Sequence, residues 1–283
     1  MSRENIPYLI GFNVKPAAIS ALGVVKFTDG KNEVTPNQLQ CEAYGYTYNQ
    51  ETGTCSTFRY NTNLNSSVAN ENNKTYGVGN STQTGTNNTI VMGENNTVRG
   101  FSRNSIIIGN QNEIANGINN ANVSGTLGEA TADNSTVLGG NTNGDALGER
   151  QTMTVMFGRQ TDVGTNKASF LNNTTDSYFA VPENTILFFH AYVVAVRVGG
   201  TAGGNVGDYA SWVERGVVIN KSGVLSVSRE RDAIKNSGTV TGWQPTGAIL
   251  GTDFYIKVRG AANMTIEWAS TVSFTQIKTG VTL

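Results

Sequence analysis

Residues 61–175 carry a repeat, and that repeat constrains the fold more than any other feature of the chain. These 115 residues hold 24 Asn, spaced rather than scattered. One half of the unit reads polar, Ser or Thr, two or three apolar residues, then Gly. It occurs as Asn88-Thr-Ile-Val-Met-Gly93, Asn104-Ser-Ile-Ile-Ile-Gly109, Asn134-Ser-Thr-Val-Leu-Gly139 and Thr154-Val-Met-Phe-Gly158, with a looser copy from Lys74 to Gly79. The other half follows each glycine after a polar corner, as in Gly93-Glu-Asn-Asn-Thr-Val98, Gly109-Asn-Gln-Asn-Glu-Ile114 and Gly158-Arg-Gln-Thr-Asp-Val163. Short β legs stopped by Gly or Asn, residues that accept positive φ, wind into a solenoid whose equivalent legs stack as parallel strands. Taking Gly79, Gly93, Gly109, Gly128, Gly139 and Gly158 as the repeat marks, the spacing predicts roughly six rungs and a stalk about 30 Å tall.

A coil this thin cannot turn three consecutive bulky residues inward. Ile106, Ile107 and Ile108, and again Val155, Met156 and Phe157, therefore predict lateral association, most simply as a symmetric homotrimer. With its apolar-Gly strand ends, the repeat resembles the left-handed parallel β-roll of trimeric autotransporter adhesin heads.

Beyond residue 176 the pattern changes to longer strands between Gly and Asn turns, near 177–181, 185–198, 210–220, 224–229, 253–258 and 264–277. The fold class expected is all-β, a short parallel β-solenoid stalk followed by an antiparallel β-sandwich tip. The second part resembles the C-terminal tip domain of phage fibres. The resemblance rests on Val193-Val-Ala-Val-Arg197, Trp212-Val-Glu-Arg-Gly216 leading to Gly223, Trp243, Phe254-Tyr-Ile-Lys-Val-Arg-Gly260 and Thr265-Ile-Glu-Trp268. It implies a virion fibre, with an attachment arm over 1–37, a small Cys/Tyr hairpin module over 38–70, a stalk over 71–175 and the tip over 176–283. Its partners would be other virion proteins at the N-terminal end and a host-surface glycan at the tip. The brevity of the stalk favours a head (capsid) fibre over a tail fibre. A depolymerase tailspike and a bacterial trimeric surface adhesin are the alternatives.

In the hairpin module, Tyr44, Tyr46 and Tyr48 alternate like one face of a strand. Cys41 and Cys55 either remain thiols or close a 15-residue loop, for which chain entropy supplies about 3 kcal/mol. We expect the bond in released particles. One His and one Cys pair leave no ligand set for zinc, and neither a metal nor a cofactor is expected. Gly139-Gly-Asn-Thr-Asn-Gly-Asp145 echoes a calcium-binding nonapeptide but occurs once, as an insertion does.

Charged residues make up 14% of the chain against a usual figure of about 25%, and the net charge is -1. No basic field gathers phosphates, so nucleic acid is not an expected partner. The longest apolar stretch, 185–198, is too short to span a bilayer and contains His190 and Arg197, so no membrane insertion is expected. The start, Met1-Ser-Arg-Glu-Asn-Ile-Pro, lacks the apolar run of a secretory signal, and assembly in the host cytoplasm is expected.

No phosphate loop or nucleophile elbow occurs, and His190 sits within an apolar strand where a core role is ordinary. Glu183, Asp208, Glu214, Asp253 and Glu267 are the carboxylates a glycan-cleaving site could draw on, yet each lies singly beside a turn or strand end. The sequence therefore predicts a chain that binds and is not an enzyme. Recognition is expected in the glycine-rich loop 199–207 and just beyond it, through Gly203, Gly204, Asn205, Asp208 and Tyr209.

Overall fold

The computed structural model describes residues 13–20, 23–50, 52–57, 72–142, 145–237 and 240–282. The chain divides into two units, 1–65 and 66–283.

In the first unit, strands Lys15–Ile19, Val24–Thr28, Thr54–Ser56 and Thr47–Asn49 lie side by side, with Glu33–Val34 pairing with Val24–Thr28. The sheet thus takes strands from both sides of residue 37. Its small core is Val14, Val25, Phe27, Cys41 and Cys55, all buried. The two cysteines are joined, with their Cα atoms 5.7 Å apart. The expected hairpin is present as the antiparallel pair Thr47–Asn49 and Thr54–Ser56, and a short helix that the sequence reading did not foresee, Gln38–Ala43, precedes it. The side chain of Asn37 accepts from the Gln40 amide and that of Gln40 from the Asn37 amide, a capping box that satisfies two otherwise orphaned donors. Tyr44 and Tyr46 consequently leave the strand face and set their ring edges on Phe27, at 5.7 and 6.3 Å between centroids.

The second unit opens with the solenoid. Five long legs, Lys74–Val78, Ile90–Glu94, Ile106–Asn110, Asn122–Thr126 and Thr136–Gly140, stack in parallel register. Beside them the short legs Ser81–Thr82, Thr97–Val98, Glu113–Ile114 and Glu129–Ala130 form a second parallel sheet. Period-2 alternation within each leg turns Val91, Ile107, Val123 and Val137 inward, and Val98, Ile114 and Ala130 meet them from the opposite side. All seven are solvent-free, and burial of each Val or Ile among them supplies roughly 1.5–3 kcal/mol.

Two features hold the coils in register. The glycines in the ladder are Gly77, Gly93, Gly109, Gly125 and Gly139. A Cβ on Gly93, at φ 117°, would lie 1.9 Å from the carbonyl oxygen of Gly109 in the next coil, so no other residue fits. Inside the same corner, three residues after the glycines, Asn80, Asn96 and Asn112 form a ladder. The Asn96 amide and side chain both donate to Asn80 Oδ1 at 3.0 Å, and those of Asn112 to Asn96 Oδ1 at 3.0 and 3.1 Å. Gly128 N–H closes the row on Asn112 Oδ1 at 2.8 Å. Each Asn Nδ2 also reaches a glycine carbonyl of the following coil.

The stack differs from the sequence expectation in two respects. Gly79 and Gly128 lie outside the ladder, where Gly77 and Gly125 stand instead. The Thr154–Gly158 motif is no rung at all, so among the described residues five long legs make up the stalk rather than six. Arg150–Thr161 runs antiparallel to Thr136–Gly140, and beyond it the same sheet continues through Thr265–Lys278, Thr185–Gly199, Tyr209–Lys221 and Val224–Asn236. One sheet therefore passes unbroken from parallel coils into the antiparallel tip.

A second sheet of Asn166–Ala168, Asp253–Arg259, Phe179–Ala180 and Gln244–Leu250 covers the inner face. Between the two sheets lie Phe157, Phe179, Phe189, Phe254 and Phe274, with Trp212 stacked on Trp268 at 5.6 Å. The indole N–H of Trp268 donates to Thr161 Oγ1 at 2.8 Å. His190 is turned away from this core: it lies half-buried on the outward face, against Tyr192.

Candidate functional site

The glycine-rich loop is held from beneath by one side chain. Alternation along Thr185–Gly199 turns Arg197 inward, where it is 3% exposed. Its guanidinium donates to the carbonyls of Gly199 (2.9 Å), Gly203 (2.7 Å), Ala202 (2.6 Å) and Gly200 (3.2 Å). Five N–H groups in a rigid fork suit such a task, since they can satisfy several turn carbonyls at once. Asp208 is also drawn inward, accepting from the Asn205 amide at 2.8 Å and from Ser237 Oγ at 3.2 Å. Of the residues expected to meet a receptor, Gly203, Gly204, Asn205 and Tyr209 are exposed and Asp208 is buried. Tyr209 borders a hollow of about 400 Å³ on the outward face, with Val194, Val196 and Trp268.

The other recess lies between the two sheets. Glu214 follows Trp212 at a spacing of two on Tyr209–Lys221, so its side chain enters the inner face and is 1% exposed. Its Oε1 accepts from the Gly247 amide at 2.6 Å and faces Arg229 Nε at 3.4 Å. Its Oε2 is buried without a hydrogen-bond partner. Burial pushes the carboxyl above its ordinary value, against the pull of the Gly247 amide and the charges of Arg229, Arg231 and Lys257. Next to it opens a polar cleft of about 670 Å³. Arg229 and Arg231 from Val224–Asn236, Lys257 from Asp253–Arg259, and Gln244, Thr246 and Asn166 line it. Arg231 spans the gap between the sheets, donating to Pro245 O at 2.6 Å and Gln244 Oε1 at 3.2 Å.

The structure does not assemble the carboxylates singled out from the sequence. Glu267 stands on the outward face, accepting from Gln160 Nε2 at 2.6 Å, whereas Glu214 points inward. Glu183 is exposed and Asp253 half-buried. The basic residues round Glu214 were missed because they come from three strands. The available signal was the alternation Trp212-x-Glu214, which sends an acid to the same side as a core Trp. Among the described residues no group of three His, Cys, Asp or Glu side chains could hold a metal ion. Two residues of the single nonapeptide echo, 143 and 144, lie outside the described residues; at its end Asp145 Oδ2 accepts from the Thr142 amide and hydroxyl and from Arg150 Nη1 at 2.7 Å.

No known family and no curated protein matches the sequence. Among solved structures, the tailspike protein of Acinetobacter baumannii phage AM24 is similar over 76% of this chain and 57% of that one, at 9% identity and a TM-score of 0.30. The tailspike of Acinetobacter phage vB_ApiP_P1 follows at 12% identity and a TM-score of 0.27, covering 75% of this chain and 48% of that one. Tailspike gp49 of Acinetobacter baumannii bacteriophage Fri1, a capsular polysaccharide depolymerase, has 7% identity and a TM-score of 0.24, covering 66% and 39%. The chain thus spans 39–57% of the length of these proteins, and at such scores no residue correspondence follows. The sequence-based expectation that the chain is not an enzyme is corrected here. One of the similar structures is that of a capsular polysaccharide depolymerase, and Glu214, taken from the sequence as a lone carboxylate beside a turn or strand end, is instead an acid buried within a strand beside a polar cleft.

Proposed function

We propose that the chain is a fibre or spike of a phage particle, homotrimeric, with the solenoid as spacer and the tip meeting a host-surface glycan. The observation that carries this reading is the outward face of the long sheet. Cross-strand register sets Tyr76, Met92, Ile108 and Leu138 in one row, separated by Ser124, which continues through Thr152 and Thr275 to Phe188. Met156, Tyr192 and Val194 stand on the same face nearby, each about half exposed. So many exposed apolar side chains on one side of an elongated sheet, with only Ser and Thr between them, favour a covered face, and copies of the same chain supply a matching one. The number three comes from the resemblance of the repeat to trimeric adhesin heads.

In this reading residues 1–37 and 38–70 join the fibre to other virion proteins, the parallel coils within 71–175 form the spacer, and 176–283 face outward. The short stack favours a head fibre, and immunogold labelling of particles with antibody to the tip tests that placement. Light scattering tests assembly: the purified chain should run at about three times 30.1 kDa, and Leu138→Glu should shift it toward the monomer. A wild-type monomer would remove the basis of the proposal. A depolymerase spike is the second reading, favoured by the raised carboxyl of Glu214. Release of reducing ends from host polysaccharide, lost in Glu214→Gln, tests it.

A further inference from the structure

We infer that the cleft beside Glu214 binds a carboxylated sugar residue, such as a uronate, within an acidic polysaccharide. This rests on the glycan reading above and assigns the chemistry of one subsite. The charge around the cleft is unbalanced. Arg229, Arg231 and Lys257 contribute three cations against the carboxylates of Glu214 and Glu230, and Glu230 is taken up by Arg215. Arg229 faces the buried Glu214, and Arg231 is engaged with the Gln244–Leu250 strand. The side chain of Lys257, a half-buried residue, has neither an ion pair nor a hydrogen bond among the described residues, and its ammonium is the charge of the cleft left without a close partner. A ligand carboxylate answers that charge, while Asn166, Gln244 and Thr246 offer the mixed donors and acceptors that sugar hydroxyls need.

Glu214 marks the site independently. Its Oε2 lies buried and unpartnered at the cleft wall, a position that is costly unless the group serves a ligand or takes a proton. Protonated, which burial favours, it donates a hydrogen bond where the ionised form could only accept. Facing it are Arg229 and Arg231 from one strand, Lys257 from another and the Gly247 amide from a third.

The experiment is titration calorimetry of the full chain with an oligogalacturonide and with its methyl ester, which has the same hydroxyls without the charge. Binding of the acid should exceed that of the ester roughly tenfold or more, should weaken as salt rises, and should fall about tenfold in Lys257→Ala while recovering in Lys257→Arg. Unchanged circular dichroism and assembly verify that the variants fold. Equal binding of acid and ester, binding of neither, or an unaltered Lys257→Ala would each overturn the assignment. Adsorption of the wild-type fibre to host-surface polysaccharide separates the two proposals: if it persists while the cleft assay fails, only the subsite is wrong, and if it too is absent, the glycan reading fails as a whole.

Discussion

Replacing Asn112 with alanine tests whether the buried Asn ladder holds the solenoid together. The residue is 1% exposed, and its side chain makes three bonds: it donates to Asn96 Oδ1 and Gly125 O and accepts from Gly128 N–H. Truncation leaves the Gly128 N–H facing a dry corner, at roughly 1–3 kcal/mol for an orphaned buried donor. Loss of the bond to Gly125 O adds about 1 kcal/mol. The bond to Asn96 is partly spared, because the Asn112 backbone amide still donates to the same oxygen at 3.0 Å. The expected destabilisation is therefore about 2–4 kcal/mol, with a small cavity term besides. Equilibrium unfolding in guanidinium, followed by circular dichroism, reads it at constant protein concentration so that assembly does not enter the comparison. Asn116→Ala, at an exposed turn of the same coil, is the control and should change stability by less than about 0.5 kcal/mol. If the two variants unfold together, the ladder is ornament and the apolar interior alone sets the register.

Arg197→Ala should free the loop carbonyls, and hydrogen exchange should accelerate at Ala202 and Gly207, whose amides bond to Asn263 O and Arg197 O, while the solenoid amides stay protected. Cys41→Ser should cost the N-terminal unit about 3 kcal/mol, and alkylation of particles without reductant, followed by mass spectrometry, should leave Cys41 and Cys55 unlabelled. Glu214 gives a pH dependence of definite sign. Its carboxyl is raised in the folded state, so its contribution is complete below the ordinary carboxylate value and is lost as pH rises through the raised one. The difference in unfolding midpoint between wild type and Glu214→Gln should grow in the variant's favour across that window, and a flat difference would mean that Glu214 ionises freely in the fold.

How far the chain could be read in advance depended on whether a residue's partners lay one coil away or much farther. Asn104-Ser-Ile-Ile-Ile-Gly109 declares its strand, its stop and its inward residue because its neighbours are copies of itself at a spacing of 16. Choosing Gly79 and Gly128 over Gly77 and Gly125 was an error of a different kind. Both members of each pair stand at the end of a leg, and only the close approach of the next coil's carbonyl tells which one cannot bear a Cβ. Thr154-Val-Met-Phe-Gly158 carries the same local pattern as a rung, yet its partner is Thr265–Lys278, over a hundred residues on, and that pairing made it antiparallel. The Glu214 cleft was hidden for the same reason, since Gly247, Arg229 and Lys257 meet only when the sheets face each other. The helix at Gln38 was signalled by Asn37 and Gln40 but is too brief to show apolar periodicity.

Thr265–Lys278 lies in the middle of the long sheet although it is the last of its strands to be synthesised. Until it emerges from the ribosome, Arg150–Thr161 and Thr185–Gly199 have an empty lane between them, although the last coil of the solenoid already has its flank in Arg150–Thr161. Pairings of such sequence separation form slowly. Closure of the long sheet thus waits on this strand: Arg150–Thr161 and Thr185–Gly199 share one continuous outward face only once Thr265–Lys278 has paired with both.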